Sequence, residues 1–307
     1  GSHEMPARTA CDSHCVQGIA GKELWSALII VDGLAVTTSS RAGAAQVQRA
    51  ERLASALNSP YIERRGRSVA EVAADWPGPG EIDGVLVVES TRLTLVGLAD
   101  SRPAGARLFF HPGMAPGRIR RAARGRRDTM LEAMGLNQGD EVLDCTLGLG
   151  NDAIVAAWAV GPLGKVVGIE FSAALAEIAR AGLRDYRESD PDAAEAMRRI
   201  EVVCADHLMH LMSCPDQSYD VVYFDPMFRE PLRLSSGIAG LRRFACHAKL
   251  SGNAVREATR VARRRVVIKD RIRGSELDRL GVTTRSGGRG SRIEYGIIDV
   301  DCGANRP

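Results

Sequence analysis

Two short stretches carry residue types that can do chemistry together. The first is Val221-Val222-Tyr223-Phe224-Asp225-Pro226-Met227-Phe228, an apolar run that ends in an acid, a proline and an aromatic ring. Proline removes a backbone donor and stiffens the turn. The Asp225 carboxylate and the carbonyls after it, that of Pro226 included, are then all acceptors. An exocyclic amine on an aromatic ring has two N–H donors and a lone pair delocalised into the ring. Acceptors that bind both hydrogens turn the lone pair toward an electrophile, and Phe228 can stack on the base. The work is positioning, together with stabilisation of charge developing on nitrogen. The plainer alternative is a strand-ending turn with Asp225 as a cap and Phe228 in the core.

The second stretch is Asp144-Cys145-Thr146-Leu147-Gly148-Leu149-Gly150-Asn151-Asp152. Gly148 and Gly150 let backbone approach a ligand that a Cβ would exclude. A helix starting near Asp152 presents free N–H groups there. Glu170 ends the next apolar run about twenty residues on, the spacing at which a carboxylate holds a ribose diol. The run Gly148 to Ala153 also fits a dinucleotide loop with alanine in its third place. The loop alone therefore leaves NAD and S-adenosylmethionine open, and an NAD-dependent oxidoreductase stays an alternative. Asp144 favours a cation over a pyrophosphate, and the sulfonium of S-adenosylmethionine is a cation.

These stretches need strands to carry them. Apolar, β-branched runs at 141–145, 166–170, 200–204, 221–224 and 265–269 read as strands. Helical periodicity fills 152–159, 173–187, 207–212 and 253–262 between them. Such alternation predicts an α/β fold with a mostly parallel, Rossmann-like sheet covered on both faces. A closing pair at 282–285 and 293–300 predicts an antiparallel C-terminal hairpin at its edge. Ahead of it, strands at 34–37, 85–88 and 93–98 and helices at 42–57 and 68–76 form a small α/β unit. Ser68 with Glu71 three residues on is a capping box. The expected organisation is a poorly ordered leader over 1–33, which includes a short strand-like run at 28–31, a small N-terminal α/β domain over 34–110 and a cofactor-binding domain over 111–307.

With the elements in place, a resemblance emerges. The chain resembles class I methyltransferases whose acceptor loop reads Asp/Asn-Pro-Pro-aromatic. It is most similar to the small-subunit ribosomal RNA guanine-N2 methyltransferase family and its Gram-positive relatives. The similar stretches are Phe110 to Met114, Leu143 to Ala153, Val222 to Phe228 and Arg265 to Lys269. The resemblance implies transfer of a methyl group from S-adenosylmethionine to a ring-attached amine of ribosomal RNA. It implies cofactor contacts from Asn151, Asp152, Glu170 and Phe171, with Asp206 and His207 on the adenine side and Asp225 touching the substrate amine. Two features depart from the family. Asn151 stands where the ribosomal enzymes carry arginine, and Arg229-Glu230-Pro231-Leu232-Arg233 replaces their short basic segment. A small molecule or peptide amine is therefore the alternative substrate.

Charge bears on the partner. The net charge of the 307 residues is only +3, but just four of the 41 basic residues, Lys22, Lys165, Lys249 and Lys269, are lysine. Arginine suits bidentate phosphate binding and base stacking, although a GC-rich genome would also write arginine for lysine. Arg118, Arg120, Arg121, Arg124, Arg126 and Arg127 form a run with no acid between them, which reads as a track for an RNA backbone. Arg229 and Arg233 could flank an everted base, and Lys269 either faces the same cleft or forms a salt bridge. The seven scattered cysteines make no disulfide framework, which suits a reducing cytoplasm. Cys11-Asp-Ser-His14-Cys15 lacks a second cluster, so no metal is expected.

Overall fold

The computed structural model describes residues 33–98, 106–226, 249–287 and 292–300. The expected leader up to residue 32, with its strand over 28–31, lies outside them, as do Phe228, Arg229 and Arg233. The first described sheet is built from β1 (Leu34–Thr38), β2 (Gly84–Val88), β3 (Leu93–Gly97) and β4 (Arg107–Phe109), in that spatial order. β1 and β2 are parallel, so the chain must cross over between them, and α1 (Ala44–Ala56) and α2 (Val69–Ala73) supply the crossover. The other pairings are antiparallel. Every residue of β1, β2 and β3 is buried, as expected of strands covered on both faces. The capping box forms as the sequence requires. Ser68 Oγ accepts from the Glu71 N–H at 3.2 Å, and the Ser68 N–H donates to Glu71 Oε2 at 2.7 Å.

The second sheet holds β5 (Glu141–Asp144), β6 (Lys165–Glu170), β7 (Ile200–Cys204), β8 (Tyr219–Phe224), β9 (Ala262–Arg271), β10 (Arg285–Gly287) and β11 (Ile293–Asp299). Its order is β10-β11-β9-β8-β5-β6-β7. β9, β8, β5, β6 and β7 run parallel. The closing hairpin is antiparallel, with one refinement. Its return strand β11 lies against β9, and β10 forms the edge.

Around this sheet the described residues form α3 (Ala115–Ala123), α4 (Thr129–Met134), α5 (Asn151–Val160), α6 (Ala173–Asp185), α7 (Pro191–Arg198), α8 (His207–Ser213), α9 (Gly252–Val261) and α10 (Glu276–Arg279). One core cluster joins Leu143, Val167, Ile169, Val222, Phe224, Val266 and Ile268 of the strands to Ala254, Ala258 and Val261 of α9. Each Leu, Val, Ile or Phe side chain of this cluster contributes roughly 1.5–3 kcal/mol on leaving water. The arginine run at 118–127 lies on α3 and the turn after it, and Asp128 caps a new helix, α4, at Thr129. α7 was not anticipated, although Asp190 as cap and Pro191 in the first turn are a known start signal.

The order of strands sets the site. From β5 the chain goes to β6 and β7 on one side, then returns to β8 and β9 on the other. The switch point between β5 and β8 opens a crevice at their carboxyl ends, where open α/β sheets bind ligands. α6 packs toward the first sheet by close approach. A Cβ on Gly182 would lie 1.8 Å from Phe110 Cγ, so only glycine admits that ring. Among the described residues no helix is long and apolar enough to cross a membrane.

Candidate active site

The carboxyl ends of β5, β6 and β8 bring the two stretches together. Asp144 ends β5, Glu170 ends β6, and Asp225 follows β8. The glycine loop turns on left-handed residues, Gly148 at φ +54° and Gly150 at φ +78°, a conformation that disfavours side chains. The Leu147 N–H donates to the Ile169 carbonyl at 2.9 Å, and the Gly148 N–H donates to Glu170 Oε2 at 3.0 Å. The Ser172 N–H donates to Glu170 Oε1 at 2.8 Å. Burial raises the Glu170 pKa, against these backbone donors. A carboxylate accepts about four hydrogen bonds, so capacity remains for a diol. Next to it in sequence, Phe171 is 47% exposed, an uncovered aromatic residue at the end of β6.

Thr146 ties the loop to the acceptor turn. The Asp225 N–H donates to Thr146 Oγ1 at 2.6 Å. The Asp225 carboxylate accepts from Lys269 Nζ at 2.7 Å, and the same Nζ donates to Asp152 Oδ2 at 2.9 Å. Asp152 also accepts from the Tyr223 hydroxyl at 2.8 Å and from Arg118 at 2.5 Å. Arg118 in turn grips Asp128 through two bonds, at 2.8 and 2.9 Å. The result is a chain of alternating charge: Asp128, Arg118, Asp152, Lys269, Asp225. The carboxylates of Asp128 and Asp152 are 11% and 12% exposed, and that of Asp225 is 32% exposed. The chain therefore ends on one accessible acid beside the crevice.

The charges are tuned accordingly. Burial opposes ionisation of Asp152, but Lys269 and Arg118 outweigh it and hold its pKa at about 2. Burial likewise opposes the Lys269 ammonium, and its two acids outweigh burial and raise its pKa. Asp225 shares a single cation, and burial raises its pKa against that help. Asp144 accepts from the Thr146 N–H at 3.0 Å and pairs with no cation among the described residues. Burial pushes it up to about 7, with Asp152 and Asp225 adding to the rise. A cation arriving beside Asp144 is the event that would most favour its ionised form.

Several expected contacts take other places. Arg118, expected on an RNA-facing surface, is turned inward between Asp128 and Asp152. Acids from elsewhere in the fold also reach Arg120 (Asp190, 3.0 Å) and Arg127 (Glu132). Arg121, Arg124 and Arg126 remain exposed and form no ion pair among the described residues. Of the two readings of Lys269, the salt bridge is the one found. Asp152, expected beside the cofactor, accepts from Arg118, the Tyr223 hydroxyl and Lys269. Asp206 caps α8 by accepting from the Met209 N–H at 3.0 Å. His207 packs edge-on against Phe224 at 5.8 Å, and burial lowers its pKa against the pull of Asp206. Sequence reasoning gave no role to Asp128, to the Tyr223 hydroxyl or to buried Tyr295, which pairs in register with Lys269. Tyr223 lay inside the quoted motif, where a buried hydroxyl needing a partner was the available signal.

Sheet order, glycine loop and acceptor acid define a class I S-adenosylmethionine-dependent methyltransferase. Residues 79–294 match the family model described as "Putative SAM-dependent methyltransferase", and the chain belongs to that family. Its cofactor is S-adenosylmethionine. Within the class it is related to two bacterial groups. It is 40% identical over 265 residues to the uncharacterized protein YpiP of Bacillus subtilis, covering 86% of this chain and 99% of that one. It is 32% identical over 159 residues to ribosomal RNA small subunit methyltransferase J of Cellvibrio japonicus, covering 49% of this chain and 58% of that relative. A crystal structure of a SAM-dependent methyltransferase from Neisseria gonorrhoeae superposes with a TM-score of 0.59 at 18% identity, covering 88% of this chain and 97% of that one, a likeness of fold. The donor set fits the cofactor: an acid with spare acceptors, an uncovered aromatic residue next to it in sequence and a buried acid with no cation partner among the described residues.

Proposed function

We propose that the enzyme methylates the exocyclic N2 amine of a guanine in ribosomal RNA. The observation that carries this reading is Asp225, a partly exposed acceptor fixed at both ends beside the cofactor loop. Thr146 holds its backbone and Lys269 its carboxylate. The small-subunit ribosomal RNA methyltransferases among its relatives support RNA as the substrate class. A base in a duplex cannot reach such a turn, so the target is single-stranded or flipped out.

Bound S-adenosylmethionine supplies an electrophilic methyl group. Glu170 would accept from the ribose hydroxyls, Phe171, Asp206 and His207 would hold the adenine side, and Asp144 would favour the positive sulfonium. Gly148, Gly150 and Asn151 supply close backbone along the loop. Asp225 and the Pro226 carbonyl accept the two amine hydrogens, and Phe228 stacks on the base. As the nitrogen took the methyl group, the methyl–sulfur bond would break, neutral S-adenosylhomocysteine would leave, and the nitrogen would lose a proton to Asp225 or to solvent. Arg121 and Arg124 hold phosphates, and Arg229 and Arg233 flank the everted base. Arg118, Asp152 and Lys269 act as positioning residues behind Asp225.

The test is mass spectrometry of ribosomal RNA nucleosides from cells with and without the gene. N2-methylguanosine should fall in the deletion strain and return with the wild-type gene. Asp225→Asn should not restore it, with kcat about 100- to 1,000-fold down in vitro. An unchanged nucleoside profile, with methyl transfer to a small molecule or peptide, would replace RNA as the substrate. Methylation at another atom would overturn the N2 assignment.

A further inference from the structure

Away from the cofactor loop, a cleft of about 620 Å³ lies between the first sheet and α6, within the ~300–1,000 Å³ typical of ligand sites. One wall holds aromatic groups. Tyr186 packs edge-on against Phe110 at 5.6 Å and against His111 at 5.9 Å, and Phe109 lies under the Arg92 guanidinium at 4.3 Å. The other groups are cationic. Arg49, Arg92 and Arg187 line the cleft with a single acid, Asp185. A second hollow of about 380 Å³ shares Arg49, Leu93 and Ala181 with it and adds Arg52, Arg180 and Arg184 against one further acid, Glu177. Four of the six arginines are ion-paired, Arg49 and Arg184 with Asp185, Arg92 with Glu89 and Arg180 with Glu177, yet six cations against these three acids leave the surface net positive and anion-attracting. Arg52 and Arg187 are exposed and form no ion pair among the described residues.

We infer that this cleft binds an unpaired segment of the RNA substrate outside the methylated nucleotide, an inference that rests on the RNA reading above. Guanidinium groups suit phosphates, and Tyr186 and His111 suit the faces of unstacked bases. A free phosphate would need no aromatic wall, and an acidic peptide would need no planar one. Position agrees. His111 stands two residues before Gly113, where a Cβ would lie 2.8 Å from Asn151 Oδ1 at the start of α5. His111, which lines the cleft, is thus two residues from a close approach to the helix that follows the cofactor loop, and none of the lining residues belongs to the loop or the acceptor turn. The Arg120–Asp190 ion pair also brings α3 beside the segment that carries Arg187. The cleft and the exposed Arg121 and Arg124 therefore flank the same stretch of chain.

The test uses the full chain and fluorescence anisotropy with a labelled single-stranded RNA of about ten nucleotides. The same ribose-phosphate strand without bases is the second probe. Arg92→Glu with Arg187→Glu should weaken both probes and reduce the salt slope of binding by about 1.4, two phosphate contacts on a single strand. Tyr186→Leu should weaken the intact strand about five- to hundredfold and leave the abasic strand unchanged. Affinity for S-adenosylhomocysteine reports an intact fold in each variant. If the wild type binds RNA and the variants match it, the cleft assignment fails while the RNA reading stands. Equal loss of both probes in Tyr186→Leu would overturn stacking in the cleft. A wild type that binds neither these strands nor small-subunit ribosomal RNA would sink the RNA reading, and the cleft with it.

Discussion

Glu170 and Asp225 are both acids at strand ends facing one crevice, yet they are held by opposite means. Glu170 is fixed by backbone N–H groups of Gly148 and Ser172. Those donors come with the fold and disappear with no single side chain. Asp225 is fixed by Lys269, which depends on Asp152, which depends on Arg118. The end built from backbone suits a cofactor common to many enzymes. The end built from side chains is where substitution can retune an acceptor. The comparison also predicts unequal fragility, because a buried charge that loses its partner is costly.

Lys269→Met probes the fragile end and should have the largest effect. It leaves Asp152 and Asp225 without their shared cation. Stability should drop by about 3–5 kcal/mol in a denaturant titration, with methyl transfer abolished. A loss below about 1 kcal/mol would mean the alternating chain contributes little. Asp144→Asn tests the buried acid held by one backbone N–H, that of Thr146, and should move stability the other way. The folded chain binds the Asp144 proton more tightly than the unfolded chain, where aspartate titrates near ~3.9. Ionisation therefore costs the folded state increasingly as pH rises from about 4 to about 7, and fully above 7. The asparagine variant escapes that cost and should gain about 2–4 kcal/mol above pH 7. In the wild type, affinity for the cationic cofactor should rise as pH passes upward through about 7. Affinity for S-adenosylhomocysteine, whose sulfur is uncharged, should stay flatter, and calorimetry on either side of that pH distinguishes the two. Glu170→Gln should have the smallest effect on folding. It sets one amide donor against a backbone N–H, at about 1–3 kcal/mol. A larger loss than that of Lys269→Met would reverse the comparison.

Local signals in the sequence carried a good part of this. Strand and helix alternation gave the parallel sheet, Ser68 and Glu71 gave a helix start, and Asp144, Glu170 and Asp225 were placed together by position at strand ends. What escaped was tertiary. Arg118 read as part of an exposed arginine run because its partner Asp152 is 34 residues away in sequence. The insertion of β11 beside β9 depends on register between strands, which the pattern of either strand alone does not specify. The start of α7 was legible in Asp190-Pro191, but its short polar sequence lacked the periodicity that flags longer helices.

The notch at Gly182 has a practical corollary for protein recombination. The Phe110 ring fills the space a side chain would take at a position 72 residues further along the chain. A chimera that imports the first sheet from a relative must import a ring-and-notch pair, or redesign both halves together. Grafts that carry an aromatic at 110 onto a non-glycine at 182 should misassemble, whatever the match elsewhere. Crossover points for shuffling this enzyme with its relatives therefore belong outside the interval between these two residues.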